Sequence, residues 1–151
     1  MLEEIIKQNE KRISEDIKCI LGIIRIDFID IFPTSEEHRK QLDGEISQIS
    51  KLIDSTEKGN FYLLNAPIST KWGELKFLKV RFFDESRLNY EAAPDFEVEN
   101  WDELKKISQK SEKFSFIERP NWNAIEYKTE NCLAYFLNPL VSKVYHVEEF
   151  K

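Results

Sequence analysis

At 151 residues, with 41% hydrophobic and 33% charged side chains, the chain reads as one globular domain able to bury a core, not as a disordered segment. Its 22 Lys+Arg against 28 Asp+Glu leave a formal charge of −6, which disfavours a phosphate backbone as the main partner and otherwise serves solubility. Two cysteines, Cys19 and Cys132, exclude a disulfide framework. No leader pattern or apolar run of about 20 residues appears, so the expected setting is the cytoplasm, with no membrane contact.

The first predicted element is an amphipathic helix over residues 1–21, docked on the rest of the domain. Leu2, Ile6, Ile13, Ile17 and Ile20 recur at helical spacing, Asn9 is the polar break, and Gly22 is placed to end it. Residues 23–31, IIRIDFIDI, are β-branched and aromatic and read as a strand. Alternation sets Ile24, Ile26 and Phe28 on one face and Arg25 and Asp27 on the other, a half-solvated side.

Pro33 followed by Thr34-Ser35-Glu36-Glu37 is a helix start, with Thr34 as cap and Glu37 reaching back. The apolar stripe Leu42, Ile46, Ile49 and Ile53 carries this predicted helix over 35–55, and Lys58-Gly59-Asn60 turns the chain. Phe61–Leu64 is a short strand broken at Asn65-Ala66-Pro67. Leu75–Phe83 is the longest strand, its slipping alternation implying that both faces are covered or that a bulge intervenes.

A charged and aromatic connection follows, with order resuming at Phe96. Asn100 and Glu103 then start a helix over 101–108. Phe114–Ile117 is a strand. Residues 124–128 and 132–137 form a hairpin, and Val144–Phe150 is a last short strand or a tail. This order predicts a single α+β domain spanning 1–151. It has a mostly antiparallel sheet, helices on one face and a ferredoxin-like βαββαβ order, flanked by an N-terminal helix and a C-terminal hairpin.

The connection after the long strand is the predicted site. Arg81, Asp84, Arg87, Tyr90 and Asp95 mix both charge signs with an aromatic ring, which suits a polar small molecule or a protein surface. Arg87 offers two-pronged recognition of a carboxylate or phosphate, or else pairs internally with Asp84 or Asp95. This reading is a non-catalytic binding domain, monomer or homodimer, that needs no metal and no cofactor.

The alternative is an enzyme. Pro94-Asp95 followed by Glu126-Tyr127-Lys128 resembles, in residue type and spacing, the metal-dependent nucleases of the PD-(D/E)xK type. The resemblance implies that Asp95 and Glu126, on neighbouring strands, hold a divalent cation such as magnesium while Lys128 orients water. Glu74-Leu75-Lys76 and Glu103-Leu104-Lys105 repeat the short triplet, and Glu126 and Lys128 also read as an ordinary solvated strand face. With His38 and His146 as the two histidines and four glycines in all, the chain has no recognisable nucleophile elbow or phosphate-cradling loop.

Overall fold

The computed structural model describes residues 2–16 and 23–144. In chain order it comprises helix α1 (Leu2–Asp16), strand β1 (Ile23–Ile31), helix α2 (Glu36–Ser47) and strands β2 (Ser50–Thr56), β3 (Gly59–Thr70) and β4 (Gly73–Arg81). A single 3-10 turn at Glu85–Arg87 leads to β5 (Ala92–Val98), α3 (Trp101–Ser108), β6 (Phe114–Glu118), β7 (Asn123–Lys128), β8 (Leu133–Asn138) and the short α4 (Val141–Val144).

All eight strands belong to one mixed sheet in the order β2-β3-β4-β1-β5-β8-β7-β6. Each half is a βαβββ unit in which the first strand runs parallel to the last, β1 beside β4 and β5 beside β8. The halves meet where β1 and β5 pair antiparallel in the middle of the sheet. This corrects the ferredoxin-like expectation, because each half has a third strand after its helix.

The missing strand of the first half is β2. Helical spacing continues by coincidence from Leu42 through Ile53, but the helix ends at Ser47. Leu42 and Ile46 are buried, whereas Ile49 is 47% exposed. The chain closes with short turn bonds from the Gln48 and Ile49 amides, and the Ser50 hydroxyl donates to the Ile46 carbonyl at 2.6 Å. Extended structure then begins at Ser50. The start of α2 also moves by one residue: Ser35, not Thr34, accepts from the His38 amide at 3.0 Å.

Two further strands are longer than their sequence suggests. β3 runs through Asn65-Ala66-Pro67 with a register shift against β4 between Leu63 and Ile68. Pro94 lies inside β5, beside Ile29 of β1, and the ladder to β8 pairs Asp95 and Phe96, so its missing N–H is tolerated. Asp95 is therefore part of a central strand and not of the connection.

One face of the sheet carries the main core. Ile5, Ile6 and Ile13 of α1, Leu42 and Ile46 of α2 and Leu104 of α3 pack with Ile29, Ile31, Leu78, Val80, Phe96, Ile125 and Phe136. Asn9 is buried within this face and its amide donates to the Ala92 carbonyl at 3.0 Å, which explains how a polar break fits the stripe. Ile17, Ile20 and Gly22, the expected strand over 144–150 beyond Val144, and His146 lie outside the described residues. No helix among the described residues is long and apolar enough to cross a membrane.

Candidate ligand-binding site

The opposite face of the sheet is concave and holds a cavity of about 630 Å³. Strand register decides which side chains reach it. One row crosses the sheet as Leu63, Phe77, Phe28, Asp95, Tyr135, Glu126 and Ser115. The neighbouring row contains Phe61, Lys79, Asp30 and Ala93. A register shift between Ile26 and Phe28 reverses the alternation of β1 there, so Ile26 joins the main core while Phe28 faces the cavity side. Asp27, expected on a half-solvated face, is instead buried and accepts from the Ser142 amide at 3.2 Å.

The floor on the first-half side is aromatic. Phe28, Phe61 and Phe77 form their own cluster, Phe61 stacked on Phe77 at 5.5 Å and Phe28 edge-on to Phe61 at 5.7 Å. The Lys79 ammonium lies 5.9 Å from the ring centres of both Phe28 and Phe61.

Beside this floor stand two buried carboxyls, Asp30 and Asp95, hydrogen-bonded to each other across the β1–β5 seam. Burial pushes Asp95 well above the usual carboxylate range, and the charges of Asp30 and Asp27 push it further. Asp30 is also raised by burial, against the attraction of Arg81 and Lys79 and the bond from Asp95. The direction that follows is a pair sharing one proton, held mainly by Asp95. Arg81 Nη1 stands 3.7 Å from Asp30 Oδ1. Tyr135 is the next residue along the row and hydrogen-bonds Glu126; burial, and then the charge of Glu126, hold its phenol protonated.

The mouth is cationic. Lys58, Lys79, Arg81, Arg87 and Arg119 line the cavity against Asp30, Glu57, Asp95 and Glu126, one of which holds a proton. The cavity is thus net positive inside a chain of net charge −6. Crowding is visible at Lys58, whose ammonium is lowered from its ordinary pKa by burial and then by repulsion from Arg81, Lys79 and Arg119. Backbone geometry holds Lys58 there. Gly59 has φ +150°, a Cβ in its place would run into the Val80 carbonyl, and the Phe82 amide donates to the Lys58 carbonyl at 2.8 Å.

Of the five residues read from the connection, Arg81, Arg87 and Asp95 line this cavity. Asp84 is exposed and caps the 3-10 turn, accepting from the Ser86 amide at 3.0 Å. Tyr90 is buried with Phe32, Ala93 and Leu133, and its hydroxyl donates to the Thr129 carbonyl at 2.7 Å. The salt bridges among the described residues do not include Arg87.

The nuclease-like set does not assemble. β8 separates Asp95 from Glu126, so their backbones lie roughly 9–10 Å apart at the usual strand spacing. Lys128 is exposed at the far end of β7. Among the described residues no group of three or more His, Cys, Asp and Glu side chains is placed to hold a metal ion.

Sequence reasoning missed Asp30, Lys58, Lys79, Arg119 and Tyr135. One signal was present: two aspartates, Asp27 and Asp30, inside the otherwise apolar run of β1, where a buried charge demands a reason.

No family model matches the chain, and no curated protein matches it. Among solved structures, one described as "Structural Genomics, Protein EC4020" superposes with a TM-score of 0.75 at 10% identity, covering 95% of this chain and 88% of that one. That likeness shows the fold. A glyoxalase/bleomycin resistance protein/dioxygenase superfamily member from Vibrio splendidus 12B01 matches with a TM-score of 0.49 at 9% identity, over 75% of this chain and 97% of that chain.

Proposed function

We propose that this protein binds a small organic anion in the concave cavity, with the anionic group at the cationic mouth and the carbon skeleton against Phe28, Leu137 and Val141. The observation that carries the reading is the gathering of Lys58, Lys79, Arg81, Arg87 and Arg119 around one cavity, five cations against the four carboxyls of Asp30, Glu57, Asp95 and Glu126. The cavity volume lies in the ordinary range for small-molecule sites, and its lining joins an apolar floor to a few convergent polar groups. Within the connection first read as the site, Arg87 extends this cationic mouth. Arg81 and Asp95 act from β4 and β5, where a rigid sheet positions them.

A thermal-shift screen tests this with matched neutral and anionic compounds, carboxylates and phosphate esters each beside the corresponding alcohol. The expected result is stabilisation by anions and not by their neutral partners, with the shift reduced in Arg81→Gln. Equal shifts from neutral partners, or no shift from any anion, would overturn it.

A further inference from the structure

The cationic mouth accounts for one end of a ligand; the acid pair beside it asks for another. Asp30 and Asp95 are 4% and 3% exposed and both line the cavity; neither Oδ1 has a hydrogen-bond partner, and Asp30 Oδ1 has the Arg81 guanidinium at 3.7 Å. A buried acceptor without a donor is costly, and a ligand that donates to it relieves that cost. These two oxygens are closed off from solvent. A ligand reaches them only if the carboxyl groups turn as it enters, which the broad, soft terminal torsion of an aspartate permits.

We infer that the ligand is a polyhydroxylated anion, a sugar phosphate or a sugar acid, whose neighbouring hydroxyls donate to Asp30 and Asp95 while its anionic group meets the basic side chains. This rests on the anion reading above. Four features choose this class. Asp30 and Asp95 come from paired strands and touch each other, so donors close together on one ligand, such as vicinal hydroxyls, suit both. The Arg81–Asp30 separation of 3.7 Å places the anionic group only a few bonds from those hydroxyls. An ammonium would also donate, but Lys58, Lys79 and Arg81 face Asp30 and Lys79 faces Asp95, and these cations repel a further positive charge. The rings of Phe28 and Trp122 belong to the lining, and Trp122, 37% exposed, gives the C–H face of a sugar an aromatic surface to meet.

Calorimetry with four anionic probes, and neutral glucose beside them, tests this: glucose 6-phosphate, glucuronate, and the ring analogues lacking hydroxyls, cyclohexylmethyl phosphate and cyclohexanecarboxylate. The expected result is that at least one hydroxylated probe binds about tenfold or more tightly than its deoxygenated partner, the gain of one or two net hydrogen bonds. That ratio should fall toward one in Asp95→Ala and in Asp30→Ala, which remove the acceptor oxygens, with the fold of each variant verified by circular dichroism. The two arms tell a phosphate from a carboxylate. Equal or tighter binding of the cyclohexyl probes would overturn the polyol inference and leave the anion reading standing. Binding of neutral glucose as tight as glucose 6-phosphate would overturn the anion reading. Absence of binding by all four probes at about 10 mM would remove both.

Discussion

The two halves of the sheet share one plan and differ in what they place on the concave face. In the first half the row running outward from the seam is Phe28, Phe77 and Leu63; in the second half it is Asp95, Tyr135 and Glu126. The backbone positions correspond, since β1 lies beside β4 as β5 lies beside β8. One row is therefore a packed apolar floor and the other a chain of hydrogen-bonding groups. The lesson is a division of chemistry: the first half places packed apolar side chains on this face and the second places hydrogen-bonding ones, with cations from both on the cavity lining.

The sharpest way to break this comparison is at the aromatic floor. Phe61 is fully buried, stacked on Phe77 and edge-on to Phe28. Phe61→Ala should cost about 3–5 kcal/mol of folding stability, read from urea unfolding. At the polar row, Tyr135→Phe should cost only about 1–1.5 kcal/mol, the net value of one hydrogen bond, because the ring still fills its site. Comparable losses at the two positions would dissolve the distinction between the aromatic floor and the polar row.

That distinction was only partly legible in the sequence. The segments that became β1, β4, α3 and the β7–β8 hairpin announce themselves through periodicity, β-branching and caps. β2 was hidden because Leu42, Ile46, Ile49 and Ile53 keep a helical period across a real boundary, and nothing local marks Ile49 as exposed. β5 was hidden because Pro94 reads as a breaker unless the ladder to β1 is known. The site was blurred for the same reason. Arg81, Arg87 and Asp95 lie near one another in sequence, but Asp30 and Tyr135 reach Asp95 only through pairings between strands distant in the chain. The shift in β1 between Ile26 and Phe28, which sets the faces of both Asp27 and Asp30, leaves no mark in composition.

The acid pair gives the next prediction, and its sign follows from linkage. Asp95 has its folded-state pKa raised, by burial first and by Asp30 second, so the folded state holds the proton more tightly than the unfolded chain does. The stability this contributes is complete below the unfolded value near 4 and is lost as pH rises through the folded value. Asp95→Asn removes the titration while keeping the shape. The variant should therefore be more stable than the parent at pH 8, by on the order of 1 kcal/mol, with the gain shrinking toward pH 4. Melting temperatures across that range check it. A variant less stable at pH 8 than the parent would show that the carboxylate is compensated there and that Asp30 and Asp95 do not share a proton.

The smallest expected effect on folding belongs to Arg87, and it separates rim from floor. Its side chain lines the cavity from a 3-10 turn rather than from a strand, it is only half-buried, and it is absent from the salt bridges among the described residues. Had it clamped Asp95 internally, its removal would strand a buried charge and cost about 3–5 kcal/mol. From its actual position Arg87→Ala should change folding stability by less than about 0.5 kcal/mol, the ordinary range for a surface change away from caps and networks. The same change should weaken binding of a phosphate or carboxylate probe by about three- to tenfold, since a charge-assisted contact at a partly desolvated mouth exceeds an exposed ion pair. Urea unfolding and calorimetry on one preparation read both quantities. A large loss of stability with binding intact would return Arg87 to a purely structural role and move the anionic group inward, toward Arg81 and Lys58.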